Sequence, residues 1–455
     1  MCNATRAERC STYHAGVTPD DEVFLTQLHQ ALELKDFGPE DPRYVDLEQY
    51  PAAVGPDAVK YLRRAIMRTT EGSVFFLSGL RGAGKSTQLR RLQNDLNTTG
   101  FAAVRLDAED YLNLRQPIDV VEFLFFLVGG ISDAIDAADW LPTAGPTLRA
   151  WQRLREWLAA LPERVTLTPS ASVGAGIDIP GMAKADLNLK AEIRKDESFV
   201  ASLREFLEGR LSALVRVAND LVGELVDELR ATWERTGREW LGLVVLVDSL
   251  DHIRGADFLT IRQSLVDLFD KQSGSIILDR ARTVFTVPPY VQIDYGVVRH
   301  ITNVKVAERN RDPFPDGIAA LREVLARRTP DRNLLRLFPD EESLTSLIKS
   351  SGGNLRDLFR LVIEVEIQAE SLPVSAATIP AAEQSVRNGL LPISDDEMAV
   401  LIRVATEQVA PLRSQADWAE LSGLYERHLI LGYPNGETWY DIHPLIADHV
   451  KPPTG

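Results

Sequence analysis

The stretch Gly79-x4-Gly84-Lys85-Ser86 has the residue types and spacing that dictate a chemistry most directly. Glycines at 79, 82 and 84 let a short loop turn its backbone N–H groups inward, and such a ring of donors holds an anion. Ser73-Val74-Phe75-Phe76-Leu77 before it reads as a strand. Thr87–Leu96 after it reads as a helix whose N-terminal end adds positive charge. In that context Lys85 would sit on the β- and γ-phosphates of a nucleoside triphosphate, Ser86 would hold Mg²⁺, and Thr87 would open the phosphate-facing turn. The expected cofactors are ATP and Mg²⁺.

A second set of residues fits the same chemistry. Leu243-Val244-Val245-Leu246-Val247-Asp248 is an apolar strand ending in a carboxylate, suited to Mg²⁺ directly or through water, or to capping the next helix. Ser249 follows it where many AAA+ proteins carry Glu, so Asp251 is the acid expected to polarise water, the alternative being slow hydrolysis or none. Thr286 ends the strand Thr283–Val287, as a γ-phosphate sensor or as an ordinary strand threonine. In Ser351-Gly352-Gly353-Asn354-Leu355-Arg356, Asn354 is the expected helix cap, and Arg356 either reaches the phosphates or is solvated. His443, in Tyr440-Asp441-Ile442-His443-Pro444-Leu445, reads first as a partly buried core histidine.

The elements that must position these residues are an α/β P-loop core with a parallel sheet, since its strands are continuous apolar runs. Residues 1–40 read as an N-terminal extension, its first twenty loosely held. Residues 41–111 are the first part of the core, with a short extended run at 44–47. Residues 112–240 are an insert with helices at 118–136, 147–161 and 199–234. Alternation on both sides of Pro180-Gly181 predicts a β-hairpin over 170–194. The core resumes over 241–312, a helical lid spans 313–392, and 393–455 reads as a winged helix. There Tyr433-Pro434-Asn435-Gly436-Glu437 joins two strands. An insert of this size with lid and wing excludes a small-molecule kinase and favours an ATPase with an additional strand in its sheet.

Bulk properties agree with a globular protein. The chain has 455 residues, 45% of them apolar, and a formal charge of −16, which disfavours broad nucleic-acid binding. Its two cysteines, Cys2 and Cys10, form no disulfide framework or metal spacing, and no signal peptide or membrane span is apparent, so a cytoplasmic protein is expected.

The order of P-loop, Asp248-Ser249-Leu250-Asp251, polar strand end at Thr286, Gly352-Gly353-Asn354-x-Arg356 and terminal wing resembles the STAND branch of AAA+ ATPases, including its NACHT-type members. Origin-recognition and DNA-loading AAA+ ATPases share that layout. The resemblance covers roughly 70–110 and 240–455 and leaves the insert unexplained. It implies an ATP-driven conformational switch or self-assembly, as in bacterial signalling or defence. A separate effector or sensor protein is implied as partner, because no repeat array or effector domain is visible. In such switches a wing histidine, here His443, touches the ADP β-phosphate. A DNA-associated loader, and a nucleotide-binding scaffold with little turnover, are the alternatives. From 394 to 455 ten Asp and Glu face four Arg and Lys, which disfavours DNA.

Overall fold

A computed structural model of the chain describes residues 16–33, 37–141, 146–160, 188–253, 258–291, 293–409, 415–434 and 438–450. In chain order its elements are α1 (Pro19–Leu32), α2 (Pro51–Val54), α3 (Ala58–Arg68), β1 (Val74–Gly79), α4 (Lys85–Asn97), β2 (Phe101–Asp107), α5 (Val120–Ala137) and α6 (Pro146–Ala160). The insert ends with α7 (Asn188–Lys195), α8 (Glu197–Leu207) and α9 (Leu211–Arg235). Then come β3 (Gly242–Asp248), α10 (Phe258–Phe269), β4 (Ala281–Val287) and β5 (Val297–Ile301). The chain continues through α11 (Pro315–Ala326), α12 (Glu341–Ser350), α13 (Leu355–Ile367), α14 (Thr378–Asn388), α15 (Asp395–Glu407) and α16 (Gln415–Glu426) to β6 (Ile430–Tyr433) and β7 (Trp439–Ile442). Contacts divide it into a lid unit, Met1–Asp57 with Leu80–Thr87 and Ile301–Gly455, and a sheet unit, Ala58–Gly79 with Gln88–His300.

In the sheet unit the strand order is β2-β3-β4-β1-β5. Parallel registers set Val104 opposite Val245, Val245 opposite Thr283, and Phe76 opposite Phe285. A strand, β4, therefore lies between the one entering the glycine loop and the one ending in Asp248. This is the additional-strand order, and the fold is that of an α/β P-loop NTPase. Parallel strands that follow one another in the chain need crossovers, which α4 supplies between β1 and β2, and α10 between β3 and β4. Every residue of β1, β3 and β4 is buried, so apolar side chains are favoured at each position rather than at alternate ones.

Phe76, Phe269 and Phe285 anchor this core, with ring centroids 5.5 Å apart for Phe76–Phe269 and 5.2 Å for Phe269–Phe285. Such edge contacts add about 0.5–1.5 kcal/mol each beyond area burial. The apolar run of α5 is buried from Val120 to Ser132, and a Cβ at Gly129 would overlap the Trp151 indole of α6. Glu122, the one charge in that run, closes a capping box with Asp119 and accepts a 3.1 Å bond from Arg204 Nε. Burial raises its pKa, against the pull of Arg204.

In the lid unit α1 is tied to α13 through His29 Nδ1 and Glu366 Oε2, 2.9 Å apart. The segment expected to form the lid contains the four helices α11 to α14. After α15 and α16, β6 and β7 pair antiparallel, with Ile430 opposite Ile442.

Several expectations are corrected. The extended run expected at 44–47 holds at Asp46 but stops short of Leu47, which opens the 3-10 turn Leu47–Gln49 capped by the Asp46 carboxylate. The helix expected over 199–234 is two, α8 and α9, because Gly209 between them takes φ 75°. Helix α1 begins at Pro19 behind a Thr18–Asp21 capping box, so the loosely held start predicted for the first twenty residues does not extend to that point. Of the 170–194 hairpin, the portion from Asn188 on is helix α7, where Leu189 and Ile193 are buried four residues apart on one face. Alternation of apolar residues contains that spacing as well as a strand's, so the sequence fits both. The rest of the hairpin, and both cysteines, lie outside the described residues. Among the described residues no helix is long and apolar enough to cross a membrane.

Candidate functional site

The loop after β1 has the form that phosphates require. Gly82 and Gly84 take φ of 80° and 93°, left-handed backbone that a side chain would strain, and helix α4 starts at Lys85 directly behind them. Ala83 N–H closes the turn on Leu80 O at 3.2 Å. Lys85 is only 5% exposed, and its Nζ donates to Leu80 O at 2.8 Å, so the ammonium is folded over the loop. Ser86 and Thr87 lie in the first turn of α4, both half-buried. A left-handed glycine turn, a helix N-terminus and a held-in cation together fit a triphosphate.

In the same unit the start of α13 is packed on this loop. Asn354 is fully buried; its Oδ1 accepts from Arg356 N at 3.0 Å and Asp357 N at 3.3 Å, as an N-cap. Its Nδ2 donates to Arg81 O and to Asn303 Oδ1, each at 3.1 Å. One side chain thus caps the lid helix and grips the phosphate loop. Arg356 also stands at the loop, because a Cβ on Gly82 would lie 2.6 Å from Arg356 Cβ.

The lid joins onward to the β6–β7 hairpin. Tyr433 OH donates to Gly352 O at 2.8 Å, Asn303 N to Gly432 O at 3.0 Å, and Val304 N to Gly353 O at 3.1 Å. Asp357, in the first turn of α13, meets His428 Nδ1 at 2.7 Å and His443 Nε2 at 3.6 Å. Burial pushes the Asp357 carboxyl up, but the hydrogen bond from His428 and the nearness of His443 outweigh it and hold the pKa far below the carboxylate range. His443 is fully buried, and its Nδ1 accepts from Leu445 N at 3.2 Å. His443 thus stands just after the hairpin and close to the first turn of the lid helix.

In the sheet unit Asp248 is 1% exposed. Its Oδ1 takes its neighbour's Ser249 N at 2.9 Å, and its Oδ2 takes Arg105 Nη1 from β2 at 2.8 Å. Ser249 adopts φ 67°, and His252 N donates back to Ser249 O at 2.9 Å, a tight turn that carries Asp251, 4% exposed. Thr286 is fully buried, and its hydroxyl has no hydrogen-bond partner among the described residues; nor has that of Ser78, at the same end of β1. In register Thr286 pairs with Leu77 and Ser78 with Val287, so the two hydroxyls stand at the same end of the paired strands but on opposite faces of the sheet. Leaving a buried hydroxyl unpaired costs about 1–3 kcal/mol, which a bound group or water would recover.

No protein-family model matches this sequence, and no curated protein does. Among solved structures it is similar to the Walker-type ATPase PABY2304 of Pyrococcus abyssi, at 12% identity and TM-score 0.42, over 92% of this chain and 99% of that one. It is also similar to Cdc6p from Pyrobaculum aerophilum, at 12% identity and TM-score 0.34, over 91% and 94% of the two chains. The Thermotoga maritima RuvB Holliday junction branch migration motor matches at 11% identity and TM-score 0.33, over 91% and 99%.

Sequence reasoning missed Arg105, Ser78, Asp357 and His428. Arg105 did leave a signal, as a lone cation inside the apolar strand Phe101–Asp107. Asp357 left none, because its partners come from another part of the chain.

Proposed function

We propose that this chain is an ATP-binding switch, in which the state of the phosphate loop is passed through the lid helix to the C-terminal β6–β7 hairpin. The single observation carrying this is Asn354, which bonds Arg81 O with the same side chain that caps α13. A loop that shifts to admit phosphates pulls on that cap, and Gly352, Gly353 and Asp357 pass the shift to the hairpin.

In this reading the backbone of Gly79 to Gly84 and the Lys85 ammonium bind the phosphates. Ser86 and Asp248 would hold Mg²⁺, whose part is to neutralise charge on the phosphates. Asp251 orients the attacking water, and Thr286 and Arg356 report the terminal phosphate. Turnover is slow, because Ser249 stands where a carboxylate would assist most directly. The chain then works as an AAA+ ATPase of the STAND kind, switching by self-association or with a separate effector or sensor protein, in the cytoplasm.

A DNA-loading role is disfavoured by charge. Arg427, the cation at the end of α16, is spent internally on Glu397 Oε1 at 2.7 Å and Leu390 O at 2.6 Å. That leaves the acidic 394–455 segment with little to offer a phosphate backbone.

The test is binding of a fluorescent ATP analogue, followed by gel filtration with and without a non-hydrolysable ATP. Saturable binding with a nucleotide-dependent change in elution, alone or with a neighbouring gene product, supports the switch. Binding without any change in size or shape would leave only the scaffold reading.

A further inference from the structure

The Arg105–Asp248 pair is out of place in a metal site. Asp248 ends β3 with its carboxylate almost wholly buried, and Arg105 Nη1 sits 2.8 Å from Oδ2. The two residues come from adjacent strands in fixed parallel register, with Arg105 opposite Leu246 and Asp107 opposite Asp248. Arg105 thus reaches along the strand to the acid. Asp107 points elsewhere, its Oδ1 accepting from Glu109 N at 3.0 Å. The other Asp248 oxygen is engaged by Ser249 N, held there by the left-handed Ser249. Both oxygens of the carboxylate that a divalent cation would use already have a donor, and one donor is a full positive charge.

We propose that Arg105 is a positioning residue that sets the metal affinity of the site: it acts as an internal counter-ion to Asp248, and a divalent cation must compete with it. The inference rests on the reading of Asp248 as the metal's carboxylate. A dication and a guanidinium that share one buried carboxylate repel each other, and the low-dielectric surroundings of Asp248 magnify that repulsion. Binding of metal therefore requires Arg105 to swing away or to share the charge. Nucleotide can enter first with the acid still neutralised, and metal enters second. Such a site binds ATP without metal and becomes competent for hydrolysis only when divalent cation is plentiful.

The experiment titrates Mg²⁺ against the protein saturated with a fluorescent ATP analogue, starting in chelator, and reads the midpoint of the metal-induced fluorescence change. Wild type, Arg105→Gln and Arg105→Lys are compared, with the Mg²⁺-induced rise in Tm as a second reading. Removing the charge is expected to lower the Mg²⁺ midpoint roughly tenfold or more, and lysine, shorter and without the planar fork, to lower it by about two- to fivefold. Arg105→Gln is also expected to melt lower than wild type in chelator, yet to gain more from Mg²⁺. A purely structural role predicts the lower Tm without that larger gain.

Equal midpoints in wild type and Arg105→Gln, with nucleotide bound, overturn the inference and leave the switch reading standing. Should Arg105→Gln fail to fold, equality between Arg105→Lys and wild type overturns it. Absence of nucleotide binding in wild type overturns the switch reading and the inference with it.

Discussion

The side-chain amide of Asn354 donates to the main-chain carbonyl of Arg81 across 3.1 Å, joining the cap of α13 to the glycine loop. The same amide bonds Asn303, and Asn303 bonds the hairpin at Gly432 O. Three chain segments far apart in sequence thus converge on one buried side chain, and the bonds made there suggest what each substitution does.

Asn354→Ala removes the cap and the grip together. Loss of an N-cap costs about 0.5–2 kcal/mol of stability, and chemical denaturation is expected to show a loss in that range. Nucleotide still binds, since Asn354 supplies no phosphate contact in this reading. The nucleotide-dependent change in gel filtration is expected to disappear. A variant that keeps the full change would remove Asn354 from the coupling.

Lys85→Ala deletes the cation folded over the loop. A hydrogen bond to a charged group contributes about 1.5–3 kcal/mol, so affinity for ATP is expected to fall roughly ten- to a hundredfold. Calorimetric titration measures this directly, and an unchanged affinity is incompatible with phosphates in that loop.

Asp357→Asn tests the link from lid helix to hairpin. Its folded-state pKa is held far below the unfolded value near 3.9, so the ionised carboxylate stabilises the fold above that pH. The contribution is lost as pH falls below about 4 toward the depressed folded value. The variant is expected to be less stable than wild type by about 2–4 kcal/mol at pH 7, with the gap narrowing below pH 4. Urea denaturation at pH 7, 4 and 3 measures it. A gap that stays constant over that range would mean that charge on Asp357 contributes nothing.

Asp251→Asn is expected to bind ATP as wild type does and to hydrolyse it more slowly, because the residue stands in the tight turn behind Asp248 and is assigned the attacking water. A positioned general base contributes typically 10²–10⁴-fold. Phosphate release under single-turnover conditions separates this from binding, and equal rates would exclude Asp251 from the chemistry.

Much of this was readable in the sequence where the chemistry is local. The glycine loop, Asn354 as a cap and the apolar runs of β1, β3 and β4 each depend on residues within one short segment. The insert was less readable: Gly209 was visible, but nothing in the flanking periodicity announced that its backbone would split one helix into two. In α7 the residues Leu189 and Ile193 serve a strand face and a helix face alike, so period alone could not decide. The ion pairs lay beyond reach altogether. Arg105 and Asp248 are 143 residues apart in sequence, and His428 and Asp357 are 71 apart, and only the fold brings such partners together.

The central claim is that nucleotide at the glycine loop is felt at the β6–β7 hairpin. Amide hydrogen exchange with and without a non-hydrolysable ATP tests it most directly, in wild type and in Lys85→Ala. The switch predicts that nucleotide changes protection in wild type at residues 79–87, at 351–357 and at 430–442, and that all three changes are lost in Lys85→Ala. Nucleotide bound in wild type, with protection altered at 79–87 alone, would contradict it.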